Sequence, residues 1–319
     1  MKLIHDPYDI PVRPAIISFS GGRSSGYMLY HILEACGGLP DDVKVVFANT
    51  GKEREETFEF VQRCSQEWGV HITWLERAIG KKSTYEIVSH NSAHRKGEPF
   101  ESFLDTQVRL PSPSSQGGGT GRTCTADLKI KPINQWAKKE LGINKWSSVI
   151  GFRPDEMHRV ARLYQCGKPE DTQTIFKFSD EEKKKRKRKR KPRLYETGLK
   201  AQTPMAFDIK ATEQGVKDFW KKMPFDLGIE SWEGNCDMCF LKKRDVIKAL
   251  MRKYPGMADW WIKQEKMQRA DKFPDSNKFR IDRPDYEHLQ QEVIDNPHMV
   301  LTHDELDLLQ TGIECGCHD

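Results

Sequence analysis

The stretch Ser18-Phe19-Ser20-Gly21-Gly22-Arg23-Ser24-Ser25 constrains this chain most, because of what flanks it. Ala15-Ile16-Ile17-Ser18-Phe19 is a short apolar run with β-branched residues, and beyond the glycines Tyr27, Leu29, Tyr30 and Leu33 recur at helical spacing towards Gly37. This pattern predicts a strand, a tight turn and a helix. Adjacent glycines let the chain turn sharply and lie close to a ligand. Backbone N–H groups at the start of a helix then converge with its dipole on one point, where an anion is stabilised.

The same succession recurs. Val43 to Ala48 is a second apolar run, Thr50-Gly51 a turn, and Thr57, Phe58, Val61 and Trp68 follow at helical spacing. Ile72-Thr73-Trp74-Leu75 and Ser148-Val149-Ile150-Gly151 read as further buried strands. Strands alternating with helices imply an α/β fold, a parallel doubly wound sheet covered on both faces with ligands at the carboxyl ends of its strands. Pro204-Met205-Ala206-Phe207 reads as a last strand, and Gly215 to Trp220, Asp245 to Tyr254 and Ala258 to Met267 as helices. The expected division is a nucleotide-binding domain over 1–230, with a basic, disordered insertion at about 178–203, and a mainly helical cysteine-bearing region over 231–319. Pro111 to Gly119, rich in Ser, Pro and Gly, reads as a loop just before Cys124, either a lid or a plain surface turn. There is no internal repeat.

Length and charge narrow the function. A chain of 319 residues accommodates one large α/β domain with extensions or two modest ones. No apolar run approaches the roughly 20 residues that cross a bilayer, so a soluble, cytoplasmic protein without membrane partners is expected. The formal net charge is +5, yet Lys183 to Lys191 is an unbroken run of nine basic residues, so the rest of the chain is acidic. That run is either a solvated insertion or a salt-sensitive contact for a phosphate backbone. Eight cysteines in a reducing compartment point to thiol, metal or redox chemistry, not to disulfides.

The loop resembles that of the PP-loop adenine-nucleotide α-hydrolases, within them the phosphoadenylyl-sulfate (PAPS) reductase superfamily, whose ATP-using members carry Ser-Gly-Gly-x-Asp-Ser. Ser20, Gly21, Gly22 and Ser25 match, and Ser24 stands where the family has Asp. Asn49-Thr50-Gly51 with Glu56-Thr57 is similar to the family's Asp-Thr-Gly…Glu-Thr segment, which holds adenosine. Cys124-Thr125-Ala126-Asp127-Leu128-Lys129-Ile130-Lys131-Pro132 resembles the Cys-Cys-x-x-Arg-Lys-x-x-Pro stretch of adenylyl-sulfate reductases, with one Cys of the pair absent. Gly151-Phe152-Arg153-Pro154-Asp155-Glu156, followed by Arg159 and Arg162, looks like the Gly-x-Arg-x-Asp-Glu segment that brings arginines to phosphate or sulfate. Glu314-Cys315-Gly316-Cys317-His318 resembles the Glu-Cys-Gly-x-His terminus that carries the reductases' nucleophilic cysteine. The resemblance implies nucleotide contacts at Ser18, Ser20, Gly21, Gly22, Arg23, Ser24, Ser25, Asn49, Thr50, Gly51, Glu56, Gly151, Arg153 and Arg159, with Cys315, Arg153 and Lys129 as catalytic candidates. Arg forks suit phosphate and sulfate oxygens, although Arg153 also has Asp155 and Glu156 beside it for a plain salt bridge. Lys129 is either a neutraliser of phosphate charge or an exposed helix residue, and Glu56 equally suits a first helical turn.

Cys236-Asp237-Met238-Cys239 has the spacing that lets two thiolates bind one metal centre, whether a zinc half-site, an iron–sulfur half-site or a redox dithiol. In the adenylyl-sulfate reductases a tandem Cys pair and a later Cys-x-x-Cys hold a four-iron four-sulfur cluster. Cys124, Cys236 and Cys239 match three of those positions, with Cys317 or Cys315 as the candidate fourth ligand; Zn²⁺ is the alternative occupant. Cys36 and Cys64 read as small apolar helix residues, and Trp220, Phe225, Trp232, Trp260 and Trp261 as packing side chains or a base-stacking platform. The leading expectation is cleavage of ATP between its α and β phosphates with Mg²⁺, adenylation of an acceptor, and sulfur transfer to it. Nucleic acid is the candidate acceptor and a sulfur-donor protein a candidate partner. The rivals are reduction of phosphoadenylyl or adenylyl sulfate by Cys315 with a thioredoxin-like reductant, and a non-catalytic nucleotide-binding module.

Overall fold

The computed structural model describes residues 6–80, 85–113, 123–165, 200–267 and 277–310. The run Lys183–Lys191, Cys166, and the tail with Cys315, Cys317 and His318 lie outside them, as do residues 114–119 of the loop before Cys124.

Six strands, β1 (Ala15–Phe19), β2 (Val43–Asn49), β3 (Ile72–Arg77), β4 (Tyr85–Val88), β5 (Ser147–Val149) and β6 (Lys200–Gln202), form one sheet in the order β4-β3-β2-β1-β5-β6. Every neighbour is parallel except β4, which runs antiparallel to β3. The order reverses at β1: β2 and β3 extend to one side and β5 and β6 to the other. Such a reversal opens a crevice at the carboxyl ends of the diverging strands, here β1 and β5.

Among the described residues the helices are α1 (Arg23–Cys36), α2 (Glu55–Glu67), α3 (Glu98–Leu104), α4 (Lys131–Lys139), α5 (Met157–Gln165), α6 (Glu213–Trp220), α7 (Arg244–Lys253), α8 (Asp259–Lys266), α9 (Tyr286–Asp295) and α10 (His303–Gln310). Both faces of the sheet are buried, as continuous Val/Ile/Phe runs require. Ile17, Phe19, Val45, Phe47 and Trp74 share one core with Met28 of α1, Phe58 of α2 and Trp220 of α6. Ile16, Val46 and Leu75, one residue out of phase, pack on Trp136 of α4 and on Trp146.

A further core joins the two halves of the chain. Phe100 and Phe103 of α3, Leu110 and Leu128 pack with Val246 and Leu250 of α7, Trp261 of α8 and Tyr286 of α9. Trp220, Phe225, Trp232 and Trp261 are all buried, so these aromatics pack and do not form an exposed stacking platform. Cys64 is buried and Cys36 half-buried in their helices.

Two sequence expectations are corrected here. Pro204–Phe207 is a 3₁₀ turn, not a strand; Pro204 has no N–H to give a ladder, and Met205 is buried because it covers Gly151, whose added Cβ would sit 3.3 Å from its sulfur. The last strand among the described residues is Lys200–Gln202, inside the stretch assigned to the insertion, paired in parallel with β5. Gln202 fixes that edge by donating to the Val12 carbonyl at 3.0 Å and the Ser147 hydroxyl at 2.6 Å. Among the described residues no helix is long and apolar enough to cross a membrane.

Candidate nucleotide and cysteine site

The glycine loop leaves β1 and opens α1 at the crevice. Gly21 has φ +78°, and a Cβ there would stand 2.7 Å from the Thr57 methyl, so this position admits only glycine. The Ser25 hydroxyl accepts the Gly22 N–H at 3.2 Å and donates to the Gly22 carbonyl at 2.9 Å, while Ser20 donates to Ser25 at 3.0 Å. Ser25 thus closes the turn from inside. Ser18 pairs with Val46 as the last but one residue of β1. Helix α6 backs the loop: Trp220 donates its indole N–H to the Arg23 carbonyl at 2.9 Å and lies over Gly26, where a Cβ would be 2.6 Å from its ring. The Arg23 side chain turns away, held by both oxygens of Asp226 and by the Ile229 carbonyl at 2.8 Å.

From the far side of the crevice, the chain leaving β5 brings Gly151 and Arg153. Arg153 donates to the buried Ser24 hydroxyl at 3.2 Å, and its Nε lies 3.2 Å from Asp155. This arginine is thus salt-bridged to Asp155 and also reaches the glycine loop. Arg159 is bound to Glu156 and stacks over the Phe152 ring at 4.3 Å.

At the end of β2, Asn49 is fully buried. Its amide nitrogen donates to Glu76 at 2.5 Å and to the His94 carbonyl at 2.8 Å, and its oxygen accepts the Gly51 N–H at 2.8 Å. All of its amide contacts shape the loop. His94 Nδ1 stands 2.6 Å from the other Glu76 oxygen. Burial opposes charge on this imidazole, yet the carboxylate outweighs it and its pKa is raised. Glu56 lies in the first turn of α2 bound to Arg54, which holds its carboxyl below the usual range against the effect of partial burial.

Cys124, Cys236 and Cys239 line one cavity, together with Thr50, Glu53 and Lys129. Cys124 directly precedes, and Lys129 lies within, a π-helical stretch, Thr125–Ile130, which runs into α4; such wide turns are rare and concentrate at functional sites. Lys129 faces Glu53 at 3.4 Å, and Glu53 accepts from the Thr50 N–H at 2.8 Å and hydroxyl at 2.7 Å. The Cys-x-x-Cys segment is built onto this edge. Cys236 forms an antiparallel bridge with Glu53, Arg54 N–H donates to the Asn235 carbonyl and Asp237 N–H to the Lys52 carbonyl, each at 2.9 Å. Asn235 also donates to the Ser20 carbonyl at 3.2 Å. Cys239 hydrogen-bonds Cys236 and favours its thiolate, but burial and the Asp237 and Glu53 carboxylates prevail and raise that thiol's pKa.

Three thiol donors on one cavity fit a metal–thiolate centre by chemistry. Among the described residues, however, no three His, Cys, Asp or Glu side chains are drawn together closely enough to hold an ion by themselves. Cys315 and Cys317, the candidates for completing the set, lie outside the described residues.

Sequence reasoning missed Lys52, Glu53 and Arg54, all buried. Lys52 pairs with Asp237 at 2.7 Å beside the Trp260 ring, and Arg54 lies 3.3 Å from the fully buried Glu233 and over Tyr254. The signal was present: three consecutive charged residues directly after a turn at a strand's carboxyl end.

No family model matches the chain. It is 26% identical over 247 residues to an uncharacterised nin region protein of Escherichia phage lambda, a match spanning 76% of this chain and 71% of that protein. An uncharacterised protein of Methanocaldococcus jannaschii is 32% identical over 108 residues, 32% of this chain and 22% of that one. Among solved structures, the U34-tRNA thiolase NcsA from Methanococcus maripaludis, with its 4Fe-4S cluster, aligns with 95% of this chain and 79% of its own at 13% identity and a TM-score of 0.34. That likeness is too distant to carry function to this chain.

Proposed function

We propose that this chain is a PP-loop enzyme of sulfur chemistry that binds ATP at the β1–β5 crevice, cleaves it between the α and β phosphates, and adenylates an acceptor that then receives sulfur. One observation carries the reading: the cysteine-bearing segment is hydrogen-bonded to both loops at the nucleotide edge, to Ser20 through Asn235 and to Lys52 and Arg54 through Asp237 and Asn235, on either side of the Glu53–Cys236 bridge. A separate zinc clip or structural dithiol has no need of that position. In this reading the first-turn N–H groups of α1 and the Ser20 hydroxyl hold the leaving pyrophosphate, while Mg²⁺ offsets its charge. Arg153 steadies a phosphate oxygen from the β5 side, and Lys129, held by Glu53, places its ammonium between nucleotide and thiols. A metal–thiolate centre on Cys124, Cys236 and Cys239 would supply a place to hold or activate sulfur. Lys183–Lys191 is the contact we assign to a nucleic-acid acceptor.

Anaerobic protein given β-labelled ATP and an RNA pool should release labelled pyrophosphate, and Arg153→Ala should slow release at least tenfold. No release with any acceptor would sink the proposal. Sulfite formed from phosphoadenylyl or adenylyl sulfate, and lost in Cys315→Ser, would put reduction in its place.

A further inference from the structure

Lys242 is fully buried, at 0% exposure, which lysine rarely tolerates without a partner. It closes the turn that starts at Cys236: its N–H donates to the Cys239 carbonyl at 2.9 Å, and its Nζ folds back onto the Cys236 carbonyl at 2.6 Å. Among the described residues it has no carboxylate within ion-pair distance. The two acids beside the cysteines already face other cations, Asp237 with Lys52 at 2.7 Å and Glu53 with Lys129 at 3.4 Å. A buried ammonium held by one neutral carbonyl is costly unless an anion stands near. The groups close by that become anionic are the thiols, once a metal holds them as thiolates.

We infer that Lys242 is the counter-charge of a negatively charged metal–thiolate centre on Cys124, Cys236 and Cys239, setting how tightly that centre is held without being one of its ligands. The inference rests on the metal–thiolate reading above. The role requires two effects of opposite sign. With metal bound, Lys242 stabilises the site; without metal, its charge is uncompensated and destabilises the fold.

The test uses the full chain, prepared anaerobically as wild type, K242M, K242Q and K242R, and reconstituted with iron and sulfide or with zinc. Metal retained against a competing chelator and the melting temperature of the metal-free protein are both read. K242M and K242Q, the latter keeping a donor for the Cys236 carbonyl, should hold metal at least tenfold more weakly. K242R should stay within threefold of wild type, and metal-free K242M or K242Q should melt higher than metal-free wild type. Equal retention in all four proteins overturns the inference, as does an arginine variant that loses metal like the neutral ones, or neutral variants that melt lower or fail to fold. A wild-type chain that binds neither iron nor zinc overturns the metal reading itself, and that is seen before any variant is compared.

Discussion

Asn49→Asp replaces an amide that donates to Glu76 at 2.5 Å and to the His94 carbonyl at 2.8 Å with a carboxylate that donates to neither. Asn49 is 0% and Glu76 1% exposed, so water cannot screen the new pair. Two unit charges at about 4 Å repel by about 4 kcal/mol at an effective dielectric of about 20, which equals about three pH units at about 1.4 kcal/mol each. The pair therefore keeps one proton in the folded state after the unfolded chain has lost it. A carboxyl held protonated in this way has its stability intact at low pH and loses it as pH rises through the folded titration. Urea unfolding of wild type and N49D from pH 5 to pH 8 should show a deficit of about 4 kcal/mol at pH 8, at least halved at pH 5. A deficit below about 1 kcal/mol at pH 8, or one that does not change with pH, would refute the idea that Asn49 serves the loop by tying Glu76.

Gly21→Ala combines a left-handed backbone with a methyl clash against Thr57 and should cost about 2 kcal/mol or more, with at least tenfold weaker ATP binding by calorimetry. Asp237→Asn breaks the buried pair with Lys52 and should cost about 3–5 kcal/mol by denaturation; K52M/D237N should regain over half of the summed single losses, and simple additivity would speak against the pair. Burial pushes the Glu265 carboxyl up to about 7 despite N–H bonds from Tyr286 and Phe279. Its contribution to stability is thus present at low pH and lost as pH rises towards about 7, by at most about 3 kcal/mol. Glu265→Gln should flatten the fall in urea midpoint between pH 5 and pH 8, and an unchanged slope would count against that assignment.

What was legible in the sequence was local. The β1 run, the glycine turn and the helix closed by Gly37 depend on neighbours in the chain, and the structure places all three as expected, Gly37 at φ +65° with the Gly38 N–H on the Leu33 carbonyl. What was not legible depends on partners distant in sequence. Nothing near Arg23 in the sequence announces Asp226 and Ile229, which hold its side chain. Lys52 and Arg54 resemble surface charges until Asp237 and Glu233 arrive from the other half of the chain. Met205 and Ala206 are buried like strand residues but cover the β5 end from a 3₁₀ turn. Edge strand β4 leaves Ile87 exposed and lacks the continuous burial that marks the central strands. For the cysteines, spacing alone proposed the Cys236/Cys239 pair and the resemblance joined Cys124 to it; the fold sets all three on one cavity and places the pair against Glu53 and Ser20, which neither could indicate.

The central claim, that nucleotide and cysteines share one edge of the sheet, is tested most directly by timed alkylation of the metal-free protein, with and without Mg-ATP, read cysteine by cysteine by mass spectrometry. Cys124 and Cys36 are both half-buried, so Cys36 serves as the internal control. Bound ATP should slow modification of Cys124 at least tenfold and leave Cys36 unchanged. Equal rates at Cys124 with ATP shown to be bound in the same sample would contradict the shared site.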